Sequence, residues 1–182
     1  TGVYLMDAVL HTNQACFDQN FLHVRVNTNL DPTQFPDGPL NLRASTFQCT
    51  ANLIGPPIQV SNPAAPQVFD GLYNRTLACI AIESVQGTPV FVGQGPVTDR
   101  NLFRQARYGV GALAFDRLYV HNNRFQEMLS PAFTFGQTPP QNGITAGIVV
   151  APTTGTPLNQ VLLVGGDPTE AGNEFDGMDN GV

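Results

Sequence analysis

Leu77-Ala78-Cys79-Ile80-Ala81-Ile82-Glu83-Ser84-Val85, followed by Gln86-Gly87-Thr88 and then Pro89-Val90-Phe91-Val92, is the stretch on which the fold turns. From Ile80 onward the side chains alternate, Ile80 and Ile82 against Ala81 and Glu83, with the period of two that marks a half-buried strand. The short Gly-containing connection predicts a hairpin, which would pair the two runs antiparallel.

The same alternation recurs on either side. Phe21 to Asn27 sets Leu22, Val24 and Val26 on one face, and Leu42 to Leu53 does so with Phe47, Cys49, Ala51 and Leu53. Val110 to Val120 reads as one long run whose Gly109 and Gly111 point to a bulge or a close backbone approach. Ile144 to Val150 and Leu158 to Val164 add two more, and Val3 to Leu10 is read as the first. Helix is scarce. Thr98 to Arg107 offers an N-cap, early negative charge, late arginines and a following Gly109, which predicts one short helix. Asn123 to Leu129, stopped by Ser130-Pro131, predicts a second.

Pro and Gly crowd the connections, as in Phe35-Pro36-Asp37-Gly38-Pro39 and Asn62-Pro63-Ala64-Ala65-Pro66. Short strands between such turns predict an all-β fold: an antiparallel β-sandwich, jelly roll or small barrel with long Pro-rich loops. No internal repeat or linker is read in the spacing. The expected division is a single β-rich domain over 1–164 and an acidic, Gly-rich tail over 165–182.

The chain has 182 residues and 12% charged side chains, with a net charge of -6. That length suits one domain with its own core, and the low charge argues against a disordered chain or coiled coil. No apolar run approaches the ~18 residues of a spanning helix, so no membrane partner is expected. All eight basic residues are Arg and none is Lys. Without clustered basic side chains, nucleic acid is not expected as a partner, and Lys chemistry is excluded. No signal peptide is read at Thr1-Gly2-Val3-Tyr4.

No cofactor is expected. Cys16, Cys49 and Cys79 lack a CxxC spacing, and Cys49 and Cys79 are read as buried thiols. His11, His23 and His121 lie in no metal-ligand spacing. The tail carboxylates Asp167, Glu170, Glu174, Asp176 and Asp179 break the pattern of a calcium loop. Ser45, Ser61, Ser84 and Ser130 sit in no nucleophile elbow. Asp7, Glu83 and Asp116, in strand-like runs, are the best candidates for a glycosidase carboxylate pair.

Catalysis is therefore not expected, and the uncharged polar, Phe-containing loops become the informative feature. Charged residues are depleted in buried interfaces, and long loops such as 27–41 and 54–74 read as arms reaching neighbours. The expected function is a non-enzymatic structural subunit of a self-assembling particle, foremost a virion decoration or tail protein. Its partners would be other protein subunits, copies of itself or of a shell protein. Phe35, Leu40, Ile58, Phe69, Phe133 and Phe135 are the expected interface anchors. The alternatives are a monomeric β-sandwich module that binds carbohydrate or calcium, and a glycoside-active enzyme.

Overall fold

The computed structural model describes residues 2–18, 20, 22–48, 78–128, 145–151, 160–165 and 171–182. Every described strand pairing is parallel. This overturns the antiparallel sandwich, although the all-β class stands.

The strands come in threes. β1 (Val3–Met6), β2 (Leu10–Asn13) and β3 (Cys16–Asp18) make the first coil; β4 (Leu22–Thr28), β5 (Leu40–Arg43) and β6 (Thr46–Gln48) make the second. β7 (Ala78–Val85), β8 (Val90–Val92) and β9 (Asn101–Arg104) follow, then β10 (Tyr108–Ala112), β11 (Arg117–Val120) and β12 (Asn123–Gln126). β13 (Ala146–Val150), β14 (Val161–Val164) and β15 (Glu174–Asp176) close the series. Corresponding strands stack into three walls. Sheet 1 runs β1-β4-β7-β10-β13 and sheet 3 runs β3-β6-β9-β12-β15. Sheet 2 holds the pair β2-β5 and the triplet β8-β11-β14, with β5 lying next to β8. The described residues form a parallel β-helix of five coils, a solenoid in which each coil buries its apolar side against its neighbours.

Register turns the alternation into columns. Val3, Val24, Ile80, Val110 and Ile148 stack inside sheet 1, and Leu5, Val26, Ile82, Ala112 and Val150 stack beside them. Sheet 3 carries one ring per coil: Phe17, Phe47, Phe103, Phe125 and Phe175, with centroids 4.8, 4.9, 5.0 and 5.1 Å apart and near-parallel planes. Those spacings match the separation of neighbouring strands, so the rings stack at no cost in backbone geometry.

Across the interior, the sheet 1 strand of a coil passes close against the ring of that same coil. A Cβ on Gly109 would lie 2.4 Å from Phe125, and one on Gly147 would lie 2.6 Å from Phe175. Glycine is required at both positions by the aromatic column.

A second column marks the turn from sheet 2 into sheet 3. Asn101 Oδ1 accepts from the Ser45 amide at 3.1 Å, and Asn101 Nδ2 donates to the Leu42 carbonyl and to Asn123 Oδ1, both at 3.1 Å. Asn123 Nδ2 donates to Asn173 Oδ1 at 3.2 Å, and Asn173 Nδ2 donates to the Val120 carbonyl. These amides satisfy buried backbone groups that a tight turn leaves without strand partners. Positive φ recurs on both flanks, at Gln14, Ala44 and Asn122 before the sheet 3 strands and at Gln105, Glu127 and Gly177 after them. Non-glycine residues there cost on the order of 1 kcal/mol each, offset by the ladders they permit.

Several sequence expectations are corrected. Gln86-Gly87-Thr88 is no hairpin but the corner between sheets 1 and 2, since β7 and β8 pair with strands of other coils. The expected helix over Thr98–Arg107 is a 3-10 turn at Val97–Asp99 followed by β9, because Asn101 and Phe103 are drawn into the two columns. Asn123 to Gln126 is likewise strand. Within residues 171–182, β15 pairs with β12 in sheet 3. The solenoid also contains a repeat, Ala15-Cys16-Phe17, Ser45-Thr46-Phe47, Asn101-Leu102-Phe103, Asn123-Arg124-Phe125 and Asn173-Glu174-Phe175.

Candidate functional site at the edge of the last coil

Among the described residues β13, β14 and β15 each pair with a named strand on only one side of their sheets. In sheet 1 the chain itself returns to cover the edge. The Asn180 amide donates to the Thr145 carbonyl, the Gly147 amide to the Asn180 carbonyl, and the Ile148 amide to the Gly181 carbonyl. Asp179 locks this return: Oδ2 accepts from the Thr145 amide at 2.8 Å and from its hydroxyl at 2.9 Å. Those two hydrogen bonds hold the Asp179 carboxyl below its ordinary range. Asn180 thus forms an isolated parallel bridge with Ala146. The same return lays Gly181 near the Phe175 ring, at the end of the aromatic column.

Sheet 2 has no such cover among the described residues. β14 pairs with β11 in register, Arg117 with Val161 through Val120 with Val164. The Val161 amide donates to the Asp116 carbonyl and the Gly165 amide to the Val120 carbonyl. Parallel pairing alternates, so the Leu162 and Val164 amides face the opposite, outer edge. The side chains there are all aliphatic. Val161 and Leu163, on the outer face, are 45% and 47% exposed, and Val164, on the inner column, is 39% exposed. In the coil below, Leu118 and Val120 at the Leu162 and Val164 positions are fully buried. An unpaired edge flanked by aliphatic side chains is a template for another strand.

The charge of the sequence after Arg124 is one-sided. Arg124 is the last basic residue in the chain, whereas Asp167, Glu170, Glu174, Asp176 and Asp179 all follow it. Glu174 pairs with Arg100 and lies 3.6 Å from Arg124. Arg117, beneath Val161, is the cation nearest to β14 in register.

The residues expected to anchor an interface are placed differently. Leu40 is in the core, 1% exposed, and cannot serve a partner. Phe35 is 38% exposed, but its loop is folded onto the solenoid rather than reaching outward. Asp31 Oδ1 accepts from the Thr33 amide and hydroxyl, the Phe35 amide donates to the Asp31 carbonyl, and the Thr88 hydroxyl donates to the Phe35 carbonyl. Ile58, Phe69, Phe133 and Phe135 lie outside the described residues, as does Cys49.

The chemical candidates separate. Asp7 Oδ1 accepts from the Asn29 amide, Glu83 pairs with Arg25 at 2.6 Å, and Asp116 Oδ2 accepts from the Gly87 amide at 2.7 Å. Each holds its own stretch of backbone or its own partner. His11 is exposed on β2, His121 meets the Tyr119 ring edge-on, and His23 is buried against Phe17 and Phe47. Burial holds the His23 imidazole down to a pKa of about 4, with Asp18 opposing the shift. Among the described residues no group of three His, Cys, Asp or Glu side chains could hold a metal ion. Cys16 is an exposed thiol, and the buried Cys79 thiol donates to the Phe47 carbonyl at 3.8 Å.

The open edge was missed in the sequence. Leu158 to Val164 reads as an ordinary strand, and its position as last in its sheet follows only from the coil count. Compared with family models, curated proteins and solved structures, the chain matches none at a significant level. The fold and the edge therefore define it as a parallel β-helix protein with an exposed terminal strand.

Proposed function

We propose that this chain is a non-enzymatic structural subunit of an assembled particle, foremost a virion appendage, joined to a neighbouring protein through its last coil. The observation that carries this is the β14 edge, where backbone donors and three exposed aliphatic side chains coincide. Burying Val161, Leu163 and Val164 against a partner is worth roughly 1.5–3 kcal/mol per side chain if burial is complete. A tail or fibre-like role suits a solenoid better than a flat decoration role, because coils add length along one axis.

The outward pair Phe91 and Tyr119 does not favour carbohydrate binding. The rings stack on each other at 4.8 Å, so one face of each is taken by the other.

The test is sedimentation of a native extract of the source on a density gradient. The wild-type protein should travel with particle-sized material, and Leu163→Arg, expressed in its place, should move to the position of a free chain. Wild-type protein recovered wholly as a free chain would overturn the proposal.

A further inference from the structure

We infer that the seam between the first two coils is an acid-sensitive joint: protonation of the buried His23 loosens β1, β2 and β3 from the second coil while the later coils stay paired. This stands apart from the structural-subunit reading above.

The joint is built around one ring. His23 is fully buried, and its imidazole lies 6.3 Å from the Phe17 ring of the first coil and 6.2 Å from the Phe47 ring of the second. The backbone of the first coil sits directly on it. The Gly2 amide donates to the Leu22 carbonyl at 2.9 Å, and a Cβ on Gly2 would lie 2.9 Å from the His23 carbonyl oxygen. The flanking strand pairs put Cys79, Gly109 and Gly147 at the same place in the following coils. His23 is therefore the one base in that column, and it falls at the first seam.

The same seam lacks the devices that lock the others. Ala15 stands where later coils have Asn101, Asn123 and Asn173, so the ladder of amides does not reach the first coil. Ser45 Oγ meets Thr12 Oγ1 there at 2.9 Å instead. Thr12 also stands in register with the buried Leu42, which places a hydroxyl where the second coil has an aliphatic side chain.

The charges around the ring fix the direction of the response. Asp18 on β3 favours the imidazolium, but burial outweighs it and holds the pKa to about 4. Asp18 Oδ2 also accepts from Gln48 Nε2 at 3.3 Å across the seam. β6 brings no charged side chain. On β7 the Cys79 thiol is turned to the Phe47 carbonyl, and Glu83 is paired with Arg25 of β4. The closed seam thus keeps the imidazole neutral, whereas an opened seam lets water reach it and restores its ordinary value of 6.5. Opening gains as pH falls through 6.5, and the gain is complete below about 4.

The test is hydrogen exchange read by mass spectrometry from pH 7 to 4, with intrinsic rates corrected for pH. The full chain is used with its amino end acetylated, which keeps a terminal amine from titrating near the ring. Protection of residues 2–18 should fall about a hundredfold relative to that of residues 101–126. His23→Gln and His23→Phe carry no titrating ring and should hold that ratio constant. Asp18→Asn keeps an acceptor for Gln48 but removes the charge that favours the imidazolium, so the acid loss should persist or deepen. Loss of the effect in Asp18→Asn would assign it to the carboxylate and overturn the inference. A ratio that does not change with pH in the wild-type chain, or protection that falls equally in every coil, would overturn it as well. Should both His23 variants fail to fold, the wild-type and Asp18→Asn ratios still decide.

Discussion

The turn into sheet 3 and the outer edge of β14 are built from the same material, parallel strands one coil apart, and differ in what happens to their polar groups. At the turn, Asn101, Asn123 and Asn173 pass hydrogen bonds from coil to coil, and the Phe column beside them is closed over most of its length. At β14 the Leu162 and Val164 backbone groups face outward beside side chains that are nearly half exposed. The first region spends its chemistry on holding the coils in register. The second leaves it available to a partner. Damage to the turn should therefore appear as lost stability, and damage to β14 as lost association.

The largest expected effect is at the middle of the aromatic column. Phe103→Ala removes a fully buried ring stacked on both sides and should cost about 3–5 kcal/mol, read as a lower denaturant midpoint. A loss below 1 kcal/mol would mean that the column is not what holds the coils together.

His23 gives the next effect, and it appears with pH. Its folded pKa is lowered to about 4 from 6.5, so the neutral form is the one the folded state keeps. Its stabilising contribution is complete above pH 6.5, declines as pH falls through that value, and is gone below about 4. The total is on the order of 3 kcal/mol, and His23→Gln should flatten the profile between those limits. Below that window Asp179, whose carboxyl is held low by Thr145, should still keep the C-terminal return in place until it is itself protonated. Chemical denaturation from pH 8 to 3.5 checks both.

Asn101→Ala should cost about 2 kcal/mol, because it leaves the buried Ser45 amide and the Leu42 carbonyl without their side-chain partner. Gly109→Ala should cost 1–3 kcal/mol by forcing a methyl group to within 2.4 Å of Phe125, a contact that must displace the ring or the strand. Both are read as shifts in thermal midpoint, and an unchanged midpoint for either would remove the close-packed turn from the account of stability. The smallest effect sharpens the comparison most: Leu163→Arg should change the stability of the isolated chain by less than about 0.5 kcal/mol while abolishing association.

Much of this was legible in the chain. Period-two alternation found the strands around Val24, Ile80, Val110, Ile148 and Leu162, and the absence of Lys and of metal-ligand spacing kept chemistry out of the expectations. The error lay in pairing. Parallel sheets are usually buried on both faces and read as continuous apolar runs, so alternation with polar residues suggested antiparallel partners. A solenoid breaks that rule because its parallel strands face the core on one side and water on the other. The repeat was hidden for a related reason. Phe17, Phe47, Phe103, Phe125 and Phe175 fall at irregular intervals, since connections of very different length separate strands that are equivalent in space. Only the local motif, a small or amide residue two positions before Phe, recurs in every coil.

The amino-acid sequence by itself determined the all-β class, the strands with clean alternation such as those around Val24 and Ile80, and that the last part of the chain is acidic. Those properties depend on neighbours within a few residues. The tertiary structure decided that every described strand pairing is parallel, and that Leu40 lies inside while Val161 and Leu163 lie outside. Those properties depend on which segments become adjacent across long connections, and for Phe47 and Phe103 nothing local encodes that adjacency except the fit of one ring upon another.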